Sequence, residues 1–264
     1  MKFVFFNLMP WPDLPDDFRE NNRSVWVDID SKLYDPERGH HVYHEYMDQL
    51  EYADSLGFDG IGVNEHHQNG YGIMPSPNII AAGLARRTSD AALCVIGNSI
   101  ALTGLNSPNY GEGVYIGTAQ GNWCLYNGCA PDASDRNLVA FNSISSTTAE
   151  PMEAKAGTSD GTMWKNTLDG AAITSSDTDS LVQVMGSGWV VAGNVGAHSP
   201  EDAIQVWNTD ADYGLNNIVY GNAISGTLAG YGIRMPYLEV GNVVGCDNTA
   251  NQAALGMSNK TCQN

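Results

Sequence analysis

The sequence predicts a mixed fold in two parts: a βαβαβ unit over residues 1–102, then a right-handed parallel β-helix of about five to six coils over residues 103–264. Three observations predict it. Composition changes near Leu102, strand and helix patterns alternate before that point, and asparagines recur at the period of a solenoid coil after it.

With 264 residues and 42% apolar content the chain can bury a real core, which excludes disorder as a whole-chain state. No apolar run approaches the roughly 20 residues of a membrane helix. Thirty acidic against 12 basic residues give a net charge of -18, which repels polyphosphate and anionic lipid, so neither nucleic acid nor a membrane is an expected partner. Residues 1–102 hold five of the six histidines, seven of the twelve basic residues and only eight glycines. The remaining 162 residues hold 21 glycines and five Lys and Arg, the lightly charged, turn-rich texture of β architecture.

Cysteine divides the same way. Cys94 stands alone, whereas Cys124, Cys129, Cys246 and Cys262 form two sequence-local pairs, candidates for disulfides in an oxidising compartment. The stretch from Met1 to Pro10 has one basic residue and no small-residue cleavage site, and does not read as a secretory signal. The second part therefore suggests an extracellular location and the first a cytoplasmic one.

In the first part Lys2 to Leu8 reads as a buried strand, followed by a Pro-rich acidic loop to about Gly39. Val42, Tyr46, Leu50, Ala53 and Leu56 recur at helical spacing, and Gly57 stands where a left-handed cap ends the helix. Ile61 to Asn64 is a second strand, Asn78 to Arg87 a second helix and Leu93 to Ile96 a third strand, an order that implies parallel pairing. Asn64-Glu65-His66-His67-Gln68-Asn69 follows the second strand directly, at the end where α/β barrels build active sites. Glu65 and His66 there can coordinate a metal, act as acid and base, line a cofactor, or simply pair with neighbouring loops.

Phe5-Phe6-Asn7-Leu8-Met9-Pro10-Trp11-Pro12, Leu56-Gly57-Phe58-Asp59-Gly60, Asn64 to Asn69 and Met74-Pro75-Ser76-Pro77-Asn78 resemble the start of luciferase-like flavin-dependent monooxygenases. The resemblance ends near Gly97-Asn98-Ser99-Ile100-Ala101-Leu102. It implies a (β/α)8 barrel binding FMN, with Glu65, His66, Asn98 and Ser99 near the flavin ring and Asn7 near the barrel mouth. Such barrels have eight strands over about 250 residues. Three strands make only a truncated fragment with open edges and no phosphate site, so no cofactor is expected to be held in practice.

In the second part Val114, Met152, Val182, Ile204 and Ile233 read as one inward column, and Ile116, Ala154, Val184, Val206 and Met235 as another. Second strands carry Asn142, Asn166, Asn194, Asn222 and Asn242, spaced 24, 28, 28 and 20 residues apart. Stacked coils would bring these amides into a ladder that satisfies the backbone at a bend. Between the inward residues stand Tyr115, Glu153, Gln183, Gln205 and Arg234, and just beyond them Lys155 and Trp207. Lys155, Arg234 and Glu153 are the candidate catalytic residues, and Trp207, Tyr115, Gln183 and Gln205 the candidate substrate contacts. A groove of this kind suits an acidic polysaccharide: Trp207 stacks on a sugar, while Lys155 or Arg234 neutralises a uronate carboxylate or takes its α-proton. The alternative is a mixed polar sheet face with incidental charges.

Gly111-Glu112-Gly113-Val114-Tyr115-Ile116-Gly117, Asp135-Arg136-Asn137, Glu153-Ala154-Lys155-Ala156-Gly157-Thr158 and the spaced Gly-Asn turns resemble secreted β-helix proteins of the pectate-lyase-like type. That resemblance implies the fold over residues 103–264 and leaves activity open. Calcium, common in such lyases, stays a candidate cofactor, although Asp177, Asp179, Asp210 and Asp212 lie in turns and not on one strand face. Asn98-Ser99-Ile100 reads either as the end of the third barrel strand or as another Asn-x-Ile strand of the solenoid. Three functional classes follow: a β-helix that binds or cleaves acidic polysaccharide, a flavin-dependent oxidoreductase, and a fusion of two segments with no evolved joint activity.

Overall fold

The computed structural model describes residues 3–25, 29–63, 70–74, 77–88, 92–207, 212–226, 228–235 and 241–264. The chain divides into two compact units, Met1–Cys94 and Val95–Asn264.

In the first unit three short parallel strands lie side by side, Val4–Phe6 against Gly60–Gly62 and Gly60–Gly62 against Ala92–Cys94. Helices Pro36–Ser55 and Pro77–Arg87 fill the two connections. Pro36 opens the longer helix because its missing N–H needs no partner there, and the Asp35 side chain accepts from the N–H groups of Glu37 and Arg38 at 2.8 and 3.2 Å. Gly57, at φ +81°, takes the left-handed turn that ends it. Val42, Leu50 and Ala53 are buried, with Val42 and Leu50 packing with Ile61, Ile80 and Leu84, but Leu56 is exposed because the helix stops one residue before it.

The first strand also differs from expectation. It spans only Val4–Phe6, and Val4 and Phe6 are exposed while Phe5 packs on the helix side. Both helices gather with Phe5 and Ile61 in one cluster, which leaves the alternate side chains of this short strand uncovered. The described residues form no closed barrel.

The second unit is a parallel β-helix with three strand faces. One face stacks Val114–Ile116, Met152–Ala154, Val182–Val184, Ile204–Val206 and Ile233–Arg234. A second stacks Leu138–Ala140, Thr162–Trp164, Val190–Ala192, Ile218–Tyr220 and Val243–Val244. The third has six strands, beginning with Ser99–Ala101 and ending with Thr249–Ala250. Ser99–Ala101 is therefore a solenoid strand, which decides between the two readings of Asn98-Ser99-Ile100.

The two inward columns stack as their alternation predicts, Val114 on Met152, Val182, Ile204 and Ile233, and Ile116 on Ala154, Val184 and Val206. These residues and Met235 are buried in one continuous core with Met163, Leu168, Trp189 and Val219. Burying each large aliphatic contributes about 1.5–3 kcal/mol, so the stacked columns are the main source of stability.

A short corner joins the second face to the third, two residues long where it ends on Asn98, Asn142, Asn166, Asn194 or Asn222 and four long where it ends on Asn248, and from Asn142 onward the asparagine that ends it is buried. Asn142 Oδ1 accepts from the backbone N–H and the Nδ2 of Asn98 at 2.9 and 3.0 Å. Asn166 does the same for Asn142, Asn194 for Asn166, Asn222 for Asn194 and Asn248 for Asn222. The steps are 44, 24, 28, 28 and 26 residues. The final rung is thus Asn248, not Asn242.

Asn242 belongs to a second, shorter ladder before the second face, where its Oδ1 accepts from Asn217 N–H at 2.7 Å and Asn217 Oδ1 accepts from Trp189 N–H at 2.8 Å. Both asparagines flank the strand Val243–Val244, and the 26-residue step to Asn248 matches the 24 to 28 of the preceding coils, which the 20-residue step to Asn242 does not. Removing the middle of the main ladder should be costly. Asn166→Ala strands the buried amide of Asn142 and the Val139 carbonyl that Asn166 Nδ2 serves, and is expected to cost roughly 3–5 kcal/mol in urea denaturation. Thr167→Ala, at the exposed neighbouring position, should cost less than about 1 kcal/mol.

Candidate functional site

On the first face the strand register brings Tyr115, Glu153, Gln183, Gln205 and Arg234 into one outward row. Three residues upstream of the first four members run Glu112, Glu150, Ser180 and Asp202, a second polar row. Outward does not mean solvated. Glu153, Gln183 and Gln205 are 2%, 7% and 2% exposed, whereas Tyr115 is 43% exposed. The row is closed by its own bonds and by two cationic side chains that fold back across it.

At one end the carboxylates of Glu112, Glu150 and Glu153 lie within 4.8 Å of one another. Lys155 Nζ bonds to Glu153 Oε1 and stands 5.0 Å from the centre of the Tyr115 ring. Thr178 Oγ1 donates to Glu150 Oε2 at 2.9 Å. Burial, reinforced by the neighbouring Glu153 carboxylate, pushes Glu150 up to about 7. Burial also raises Glu153, against the opposing pull of Lys155. The Tyr115 phenol is raised by burial and then by Glu153 and Glu112, so it keeps its proton at neutral pH. The end of the row therefore offers a protonated phenol, the Lys155 side chain and, in Glu150, a carboxyl that readily carries a proton.

At the other end Arg234 lies 5.7 Å from the Trp207 ring, and its Nη1 reaches Asp202 Oδ2 at 3.3 Å. Gln183 donates to Gln205, and Gln205 to Asp202, each at 3.1 Å. Asp202 is 1% exposed and also accepts from Tyr231 N–H at 2.7 Å, so a buried carboxylate anchors this half of the row. Three rungs separate Glu153 from Arg234, roughly 14 Å at the usual strand spacing.

The structure brings the proposed residues together as two groups on one face: Lys155, Glu153 and Tyr115, then Arg234, Trp207, Gln205 and Gln183. Sequence reading missed Glu112, Glu150 and Asp202. Each stands two residues before an inward column residue, and that offset was the available signal. The expected turn aspartates do not form the carboxylate cluster. Asp177 accepts from Asn109 at 3.0 Å, Asp210 lies outside the described residues, and the trio found among the described residues is the glutamates. All three glutamates offer hard oxygen donors of the kind calcium takes, and the cation bonded within the trio is Lys155.

Of the residues expected near flavin, Asn7 Oδ1 accepts from Met9 N–H at 2.8 Å and its Nδ2 donates to Gln49 at 3.1 Å. Asn98 starts the main ladder, and Ser99 lies on the first strand of the third face. Glu65 and His66 lie outside the described residues. Among the cysteines, Cys124 is bonded to Cys129 and Cys246 to Cys262.

Glu150 makes stability depend on pH. Its folded-state value is raised above the ordinary 4.5, so folding favours the protonated form. Its contribution is fully present below about 4.5 and is lost as pH rises through about 7. The span corresponds to roughly 3 kcal/mol. Glu150→Gln should flatten the decline, measured as the urea midpoint at pH 5 and pH 8.

No protein-family model matches the sequence, and no curated protein matches it. Among solved structures, the chain is similar to the crystal structure of alginate lyase from Paenibacillus sp. str. FPU-7, with TM-score 0.58 and 26% identity. The match covers 67% of this chain and 59% of that one, so this chain spans little more than half of the lyase. Among the described residues, no helix is long and apolar enough to cross a membrane.

Proposed function

We propose that the β-helix, residues 95–264, is a lyase that binds an acidic polysaccharide of the alginate class along its first face and cleaves it by β-elimination. The reading is carried by one observation: an amine and a protonated phenol stand together over buried carboxyls, Lys155 Nζ being 5.0 Å from the Tyr115 ring centre. Similarity to an alginate lyase supports the substrate class.

Elimination from a uronate needs three things: its carboxylate must lose charge, a base must take the α-proton, and an acid must protonate the leaving oxygen. The base of this reading is the amine form of Lys155, reached when its proton passes along the Nζ–Oε1 bond to Glu153. That amine takes the proton from the carbon beside the uronate carboxylate. The electron pair forms the carbon–carbon double bond as the bond to the glycosidic oxygen breaks, and Tyr115 gives its proton to that oxygen. Lys155 then returns a proton to the phenolate, and the site is reset. Glu150, protonated below about 7, donates to the uronate carboxylate and withdraws charge from it. Arg234 and Trp207, three rungs away, hold a more distant sugar by charge and stacking. Coil rise is comparable to the length of one sugar, so a chain lying along the solenoid axis meets one rung per residue.

Two disulfides suit an oxidising compartment, where such a polymer is found. Sodium alginate incubated with the protein should gain the ultraviolet absorbance of conjugated unsaturated chain ends, and Lys155→Met and Tyr115→Phe should each slow this by roughly 10²–10⁴-fold. New reducing ends without that absorbance would overturn elimination in favour of hydrolysis. Activity should fall as pH rises through about 7, because an ionised Glu150 repels the uronate, and Glu150→Gln should extend activity to higher pH.

A second reading, flavin binding by residues 1–94, is supported by the parallel order of their three strands and by the resemblance in their sequence. A visible absorbance scan of the purified chain tests it, since a flavin would colour the protein yellow.

A further inference from the structure

The corner between the second and third faces carries large side chains at backbone positions that suit glycine. The residue just before each ladder asparagine is left-handed in five successive coils. Three of these are glycine: Gly97, Gly193 and Gly221, at φ +69°, +65° and +65°. The other two are Phe141 and Lys165, at φ +57° and +51°. Left-handed backbone is unfavourable for a residue with a Cβ, so these two coils keep a phenyl ring and an ammonium where the fold itself prefers no side chain.

Both side chains point into a wider group. Phe141 packs edge-on against Trp164 with ring centres 4.9 Å apart, and Lys165 Nζ lies 4.7 Å from the Trp164 ring. Phe141, Trp164 and Tyr220 are 51%, 38% and 44% exposed. Trp164 and Tyr220 occupy the same register position two rungs apart, and the rung between them contributes only the buried Ala192 followed by Gly193. Two exposed aromatic side chains thus stand roughly 10 Å apart across a bare step, with a lysine at one end. At the other end is a carboxylate, Asp247, whose Oδ2 lies 3.5 Å from where a Cβ on Gly221 would be.

We infer that this corner is a second polysaccharide-binding site, separate from the cleavage face and specific for a uronate-bearing chain. Its aromatic side chains stack on sugar rings, Lys165 pairs with a uronate carboxylate, and Asp247 accepts hydrogen bonds from hydroxyl groups while turning carboxylates away from its end. The choice of an acidic sugar rests on the proposed function, but the site is tested apart from turnover.

The test is native electrophoresis of the full chain through gels containing sodium alginate or neutral dextran, using Lys155→Met throughout so that the polymer survives. Retardation in alginate is expected to weaken about tenfold in the added double variant Phe141→Gly/Lys165→Gly, with no change in dextran. Because glycine suits the left-handed turn, the thermal midpoint should stay the same or rise. Unchanged retardation, absence of any retardation in alginate, or a lowered midpoint would overturn the site, the last by showing that the two side chains serve the fold. In an otherwise wild-type chain the double variant should raise KM for the polymer and leave kcat for a short alginate oligomer unaltered. If the double variant loses retardation while the wild type yields no unsaturated ends, the second site stands and the lyase reading falls.

Discussion

The buried asparagine ladder is the constraint on which the solenoid depends. A tight corner between two parallel faces leaves backbone N–H groups that no strand can pair, and an unsatisfied buried donor costs about 1–3 kcal/mol. Each ladder oxygen from Asn142 to Asn248 takes two donors from the coil before it, so every corner is satisfied by the next coil in line. No coil can complete this bonding alone. The corner is two residues at every rung from Asn98 to Asn222 and four at Asn248, while the other two connections carry the difference between steps of 24 and 44 residues. A solenoid locked at one corner can change its loops elsewhere without losing register.

Register in turn makes the site. Locked strands place Tyr115, Glu153, Gln183, Gln205 and Arg234 in a single row, at the spacing of one strand per rung. That spacing forces like groups together. Three glutamates meet where the rows begin, and burial, followed by repulsion from neighbouring carboxylates, raises Glu150 to about 7 and raises Glu153 above the ordinary carboxyl value. Buried amides and Asp202 bond to one another along the middle of the row, and Arg234 pairs with that carboxylate. The same register serves the corner between the second and third faces, where Trp164 and Tyr220 are held two rungs apart.

Charge sets a limit on both surfaces. At -18 overall the chain repels a polyanion at long range, so recognition depends on a few cations at contact distance. Lys155, Lys165 and Arg234 each lie beside an aromatic ring, which strengthens a cation's hold on a partly desolvated sugar. Aromatic and cationic side chains therefore occur together at the very places where contact is needed.

The inward columns and most ladder asparagines were legible in the sequence because a repeating fold writes the same requirement into every coil. The longer helix of the first unit was legible too, through its spacing and Gly57, although Leu56 fell beyond its end. Asn242 reads as the last rung because it directly precedes a solenoid strand, although the 26-residue step to Asn248 fits the series better, and hydrogen bonding assigns the two to different ladders. Residue order by itself determined that coils stack, which side chains face inward, and that Glu153, Lys155, Trp207 and Arg234 share a face. Only the tertiary structure decided that Glu112 joins Glu150 and Glu153, that the outward row is buried, and that Phe141 and Lys165 occupy glycine's backbone. Those outcomes depend on contacts between coils of unequal length, and a linear spacing carries no record of which residues such coils bring together.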